Sequence, residues 1–243
     1  MEMKFKIFHN GELSGGLAAL KEYFPFISAD GIELAAVRTD NLIRAEKRKG
    51  KITVEYSDLP SFFYAFSFCM QNYEKEEFSF SCKAGVKNFG FMRDCARNGA
   101  INYEAFKELT VFLALMGYTY IELYMEDLMK IETLPYLGLN RPAYSKEDIK
   151  KMEAYAALFG IELVPCIQTL AHLPALFRGS VFEDIHDKET VLLCDSEKTY
   201  EFLEKVIAFA ADAFKSRRIN VGMDEAHFMC LGRYEEKFGY PRD

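Results

Sequence analysis

Tryptophan is absent from this 243-residue chain. Several other features are missing, and each excludes a class of function. No block of Lys or Arg is long enough to track a phosphate backbone, and the net charge is −7, so nucleic acid is not an expected partner. No apolar run reaches bilayer-spanning length and no hydrophobic stretch follows a basic start. A membrane partner is therefore not expected, and the expected location is the cytoplasm. The six cysteines, Cys69, Cys82, Cys95, Cys166, Cys194 and Cys230, form no C-x-x-C pair. They read as free thiols in a reducing compartment rather than a disulfide frame or zinc knot. No Gly-rich loop of the P-loop or dinucleotide type occurs, which disfavours phosphate chemistry, and no cofactor or metal is expected.

What is present suits a folded α/β protein: 50% of residues are hydrophobic and 28% charged. Residues 1–85 read as a small α+β domain. Strands are expected at Lys4–Phe8, Ile32–Val37, Ile52–Tyr56 and Glu77–Cys82, and helices at Leu17–Phe24 and Leu59–Tyr73, with Pro60 in the first turn of the latter. The basic cluster Arg44–Lys51 reads as a solvated hairpin, and His9, beside Asn10-Gly11, as a loop residue.

From Lys87 the pattern becomes strand then helix, repeated. Phe89–Met92, Thr119–Met125, Ile161–Ile167 and a run beginning at Ile219 are the strands. The helices between them present Phe106, Leu109, Leu113 and Met116; then Ile149, Met152, Ala156 and Phe159, opened by a capping-box-like Ser145-Lys146-Glu147-Asp148; then Phe202, Val206, Phe209 and Ala213. Such repetition implies right-handed βαβ units and a parallel sheet, either a barrel or an open doubly wound sheet.

Titratable or polar groups follow each strand: Arg93, Asp94 and Arg97; Glu126 and Asp127; Gln168 and His172; Asp224, Glu225 and His227. Four strands carrying such groups at the same end is the layout of a barrel's catalytic face. The densest stretch, Arg218–His227, reads as a buried strand ending in a polar mouth, with an exposed acidic loop as the alternative. Adjacent strand residues face opposite ways, so Asp224 and Glu225 converge only if the backbone leaves strand geometry there. Paired carboxylates suit glycosidic cleavage, where burial and mutual repulsion hold one of them protonated as the acid.

Gly222-Met223-Asp224-Glu225-Ala226-His227, with Leu231-Gly232-Arg233-Tyr234 behind it, resembles the catalytic motif of glycoside hydrolase family 20, the β-N-acetylhexosaminidases. The resemblance extends through Leu123–Asp127 and Pro165–Leu173, covering about 87 to 240. It implies a small domain ahead of a (β/α)8 barrel, here residues 86–243 with about four βα units, the first half. It further implies removal of terminal β-linked N-acetylhexosamine by substrate-assisted retention, the sugar's 2-acetamido oxygen attacking the anomeric carbon. Glu225 would be general acid then base, and Asp224 would orient the acetamido group. His172, Glu126 and Asp127 would build the polar wall, and Arg97 with Asp94 would support the first strand end. Asp94 and Arg97 as a plain ion pair, His172 as a core histidine and His227 as a loop anchor remain alternatives.

Two departures qualify the resemblance. Where many members carry a sugar-binding arginine before the first strand's glycine, this chain has Phe89. A full barrel needs eight strands and about 250 residues; four strands and no tryptophan lead to the expectation of a fragment of a longer enzyme. Other readings are a non-catalytic half-barrel serving as a sugar-binding or assembly module, and a metal-dependent barrel hydrolase or lyase using Glu126, Asp127, Glu225 and His227. The choice of GlcNAc or GalNAc, the aglycone and the oligomeric state stay open.

Overall fold

The computed structural model describes residues 3–25, 27–83 and 85–239. The outer bounds of the two expected domains, residues 1 and 243, lie outside them. The chain forms two compact units: Met1–Phe91 with Asn102–Ile121 and Ala154–Glu162, and Met92–Ile101 with Glu122–Glu153 and Leu163–Asp243.

The first unit is built on a five-stranded sheet. Its strands are β1 (Phe5–Phe8), β2 (Ile32–Arg38), β3 (Ile43–Arg48), β4 (Lys51–Tyr56) and β5 (Phe78–Cys82), in the order β1-β2-β4-β3-β5. Pairing is parallel from β1 through β2 to β4 and antiparallel around β3. Leu34, Ala45, Ile52, Val54 and Tyr56 alternate onto one fully covered face. Helices α1 (Ser14–Tyr23) and α2 (Leu59–Gln71) belong to the same unit.

Helix α2 begins where the sequence predicts, and its start is a reciprocal cap. Asp58 accepts the Ser61 amide at 2.9 Å while the Ser61 hydroxyl accepts the Asp58 amide at 3.0 Å, with Pro60 tolerated in the first turn. The helix buries Phe62, Phe63 and Phe66 completely. Phe66 meets Phe5 edge-on at 5.1 Å and Phe62 meets Tyr56 at 5.3 Å. Each such ring contributes roughly 1.5–3 kcal/mol by burial.

The basic cluster is a hairpin as expected, turning at Lys49-Gly50 between antiparallel strands β3 and β4, but it is not solvated throughout. Its first part is β3, inside the sheet, and Lys47 is buried there. The lysine is tolerated because its ammonium donates to the Tyr73 carbonyl at 2.7 Å, while Ile43 and Ala45 alternate inward and Arg44 pairs with Glu46 at 2.7 Å.

Helix α3 (Tyr103–Leu115), capped by Asn102, buries Phe106, Thr110, Leu113 and Ala114. Met116, expected on that face, is exposed, since the helix ends one residue earlier. Strands β6 (Gly90–Asp94), β7 (Tyr120–Tyr124) and β8 (Glu162–Cys166) form a second sheet in that order. Hydrogen bonds join start to start, Thr119 amide to Phe89 carbonyl at 2.8 Å, and end to end, Cys95 amide to Tyr124 carbonyl at 3.0 Å. The same holds for Glu162 with Thr119 and Met125 with Cys166, so the strands run parallel. Helix α4 (Lys146–Ala157) precedes β8, and α5 (Glu197–Ala213) buries the predicted Phe202, Val206, Phe209 and Ala213. Between β8 and α5 lies a short hairpin of β9 (His186–Lys188) and β10 (Val191–Leu192); α6 (Arg233–Phe238) comes last.

The fourth expected strand is an extended segment held to β8 by a parallel bridge at Asn220. Contrary to the expectation of a buried strand, Ile219, Val221 and Met223 are exposed. The segment pairs with β8, and the described residues cover those three side chains only in part. All six cysteines are free thiols, and burial pushes the Cys69 and Cys166 thiols up to about 12. Among the described residues no helix is long and apolar enough to cross a membrane.

Removing the α2 cap isolates one of these contributions. Asp58→Ala is expected to lower unfolding free energy by about 1 kcal/mol in urea titration, and Asp58→Ser to restore most of it; equal stability of all three would mean the cap contributes nothing.

Candidate active site

Every polar residue the sequence places after a strand falls in the second unit, and the structure sorts them into three groups. The first surrounds Glu126. Its side chain is buried, its backbone is left-handed at φ 48°, and it accepts the Tyr124 hydroxyl at 2.9 Å. Tyr124 in turn receives the Gln168 amide at 3.2 Å and the Arg97 guanidinium at 3.0 Å. Arg97 lies over the Tyr124 ring, 4.9 Å from its centre, and approaches Glu126 at 3.6 Å and Asp94 at 3.5 Å. Asp94 shapes the turn itself, accepting the amides of Ala96 at 3.0 Å and Arg97 at 3.1 Å. Burial raises the Glu126 carboxyl above its ordinary range, against the Tyr124 hydrogen bond and the Arg97 charge. Burial also raises the Tyr124 hydroxyl, helped by Glu126.

The second group is the pair singled out in the sequence. Asp224 and Glu225 both reach His172, at 3.4 and 3.6 Å from its Nε2. Convergence is achieved as the strand argument requires: Gly222 has φ 54° and Glu225 φ 50°, and His172 is itself left-handed at φ 56°. Three non-glycine residues in that region, each following a different strand, cost of order 1–3 kcal/mol apiece and mark a site held in shape by its surroundings. Asn220 sets the turn, its amide donating to the Pro165 carbonyl at 3.0 Å and its side-chain oxygen accepting the Gly222 amide at 3.1 Å. A Cβ at position 222 would lie 2.3 Å from the Ile167 carbonyl and 2.5 Å from Gln168 Oε1. Only glycine fits. Gln168 thus touches both groups, and its buried Oε1 has no hydrogen-bond partner. The burial expected around the carboxylate pair is not found. The side chains of Asp224 and Glu225 are 66% and 67% exposed, with His172 within 4 Å of both.

Asp127 stands apart from both. Its carboxylate is taken by Arg141, which also donates to the Ala96 carbonyl. Burial raises the Asp127 carboxyl and Arg141 opposes that rise. His227 is exposed; its backbone amide donates to the Glu225 carbonyl at 2.8 Å, tightening the turn. The residues of the metal-dependent reading are therefore not gathered, and among the described residues no three His, Cys, Asp or Glu side chains are placed to hold an ion. Beyond Glu225 the chain is tied to the β9–β10 hairpin and to the turn just before it. Asp187 accepts the Tyr234 amide at 2.9 Å, Lys188 donates to the Leu231 carbonyl at 3.1 Å, and Arg233 to the Glu183 carbonyl at 2.6 Å.

Two contributors escape sequence reasoning. Tyr124 sits in an alternating strand where an aromatic reads as core, and Arg141 lies in a loop with no periodicity. An arginine 14 residues beyond Asp127 was the available signal for the second.

Comparison with known proteins bears on this arrangement. The family profile "Glycosyl hydrolase family 20, catalytic domain" matches residues 90–237. No curated protein matches the sequence. Among solved structures, the Vibrio harveyi GH20 exo-β-N-acetylglucosaminidase in complex with N-acetylglucosamine superposes with a TM-score of 0.70 at 18% identity, covering 99% of this chain and 47% of that one. The Streptomyces coelicolor A3(2) GH20 β-N-acetylhexosaminidase gives 0.73 at 18% identity, with 93% and 56% covered. The Bacteroides fragilis β-N-acetylhexosaminidase gives 0.72 at 20%, with 93% and 54% covered. The likeness is one of fold, and the chain spans about half the length of these structures.

The raised Glu126 carboxyl has a measurable consequence. A folded pKa above the unfolded one means stability present at acid pH is lost as pH climbs from the ordinary glutamate value of about 4.3 through the folded value. Glu126→Gln cannot ionise and escapes that loss. In urea unfolding, the variant should gain on the wild type as pH rises above the ordinary glutamate value of about 4.3; a difference independent of pH would refute the assignment.

Proposed function

Because the chain belongs to glycosyl hydrolase family 20, we propose that its strand-end site removes a terminal β-linked N-acetylhexosamine with retention of configuration. The observation carrying this reading is the convergence of Asp224 and Glu225 on His172. In the proposed reaction the substrate's acetamido oxygen attacks the anomeric carbon as the glycosidic bond breaks. Glu225 gives its proton to the departing oxygen, and Asp224 holds the acetamido N–H while positive charge develops on the resulting oxazolinium ring. Water then opens that ring at the anomeric carbon, and Glu225 takes its proton back. His172 fixes the separation of the two carboxylates. Arg97, over half exposed and stacked on Tyr124, is the group near the first strand end able to bind sugar hydroxyls where Phe89 cannot.

The two-domain division at about residue 85 and the half-barrel belong to the same proposal. The matched structures are about twice as long, so catalysis is assigned to the enzyme of which these residues form the first half. A second reading, a sugar-binding module without turnover, draws on the exposure of the carboxylate pair.

Release of the aryl group from an aryl β-N-acetylglucosaminide separates the readings. Turnover is expected to fall about 10²- to 10⁴-fold in Glu225→Gln and to survive dialysis against chelator. Sugar binding with no turnover would favour the module, and loss on chelation a metal mechanism. Asp224→Asn should impair substrates carrying a 2-acetamido group far more than aryl glucosides. An equal loss on both would mean the acetamido oxygen is not the nucleophile.

A further inference from the structure

A cleft of about 330 Å³ opens in the second unit between the segment that follows β7 and the segment that follows β8. Its size lies at the lower end of ligand pockets, about 300–1,000 Å³, and suits one sugar-sized unit rather than a long chain. Its walls combine two kinds of surface. Tyr136 and Val181 stand at its rim with more than half their surface exposed, and Phe182 is fixed there by edge-on packing against Phe202 at 5.8 Å. Large apolar side chains left exposed together around a concavity mark a binding surface more often than chance placement does.

The charged lining is Asp127, Arg141 and Arg178. Asp127 and Arg141 neutralise each other through their ion pair. Arg178 is exposed; its charge is felt by Asp127, whose ion pair is made with Arg141. The cleft therefore carries a surplus positive charge in a chain whose net charge is −7. A guanidinium offers a planar fork matched to a carboxylate or sulfate, and aromatic walls offer faces to a pyranose ring.

Both walls continue segments of the candidate active site. Asp127 follows Glu126 directly, and Ala175, on the opposite wall, lies three residues after His172. We propose that this cleft binds an anionic sugar unit, a uronate or a sulfated hexose, with Arg178 reading the charge and Tyr136 and Phe182 supporting the ring. Resting on the glycosidase reading, this names the substrate class as an acidic saccharide, the anionic unit lying next to the terminal N-acetylhexosamine.

The test is a set of titrations of the ¹⁵N-labelled 243-residue chain, followed by amide shifts, with methyl β-glucuronide, glucose 6-sulfate, methyl β-glucoside, inorganic sulfate and N-acetylglucosamine. The two anionic sugars should bind about tenfold or more tightly than the neutral glucoside, the size of one charge-assisted hydrogen bond, and shift residues 136–141 and 175–182. Arg178→Ala should erase that preference, Arg178→Lys should restore part of it, and Tyr136→Ala should weaken all sugars at the cleft. Because Arg178 is exposed, its variants should keep the wild-type thermal midpoint. Equal binding of neutral and anionic sugars, no binding of either, or a preference that survives Arg178→Ala would overturn the proposal. So would inorganic sulfate binding as tightly as glucose 6-sulfate, which would mark a bare anion site. N-acetylglucosamine reports separately through residues 168–172 and 222–227. Silence there beside intact anionic-sugar binding would count against the glycosidase reading and leave the cleft standing as a site.

Discussion

The site depends on a backbone approach that admits no side chain. Where the segment at Asn220 meets the end of β8, Gly222 packs against the Ile167 carbonyl and the Gln168 amide in a left-handed conformation. Any larger residue would push the segment off β8 and carry the next three positions with it. Because glycine is there, the chain turns at once. Asp224 and Glu225, which an unbroken strand would send to opposite faces, come to the same imidazole. Glu126 after β7 and His172 in the segment after β8 are left-handed as well, so these two side chains are also presented by local departures from regular geometry.

Around this turn the polar groups differ sharply in how much water they see. Glu126 and Asp127 are neighbours, both buried, yet each is matched to its own partner, Tyr124 with Arg97 for one and Arg141 for the other. A buried carboxylate left unmatched would be far more costly. Asp224 and Glu225 are the reverse, exposed and held mainly by backbone shape and by His172. The buried pair is committed to internal partners, and the exposed pair is open to solvent.

Much of the fold was readable from the residues. Asp58 and Pro60 announced α2, and the spacing of Phe202, Val206, Phe209 and Ala213 fixed the inward face of α5. The strand–helix rhythm after Lys87 pointed to parallel strands, and the grouping of polar residues after them pointed to the site. The misreadings have physical causes. Three cations in Arg44–Arg48 hid a strand, because a lysine stem can cross a core face when a carbonyl waits for its ammonium. Met116 was assigned by period to a helix that stops before it. Ile219, Val221 and Met223 read as buried because hydrophobicity shows what could be covered, not what covers it. Tyr124 and Arg141 act through partners 44 and 14 residues away, distances at which single-sequence periodicity carries no information.

The ties between the β9–β10 hairpin and residues 231–234 give the turn that carries Asp224 and Glu225 a second fixed end. A loop clamped at both ends can change its middle cheaply, since doubling a closed loop's length costs only about 0.6 kcal/mol of chain entropy. The stretch from Phe228 to Cys230, past the His227 amide that tightens the Glu225 turn, is therefore the part of this region most open to insertion and divergence. It can be rewritten without disturbing the carboxylates on one side of it or the clamp on the other.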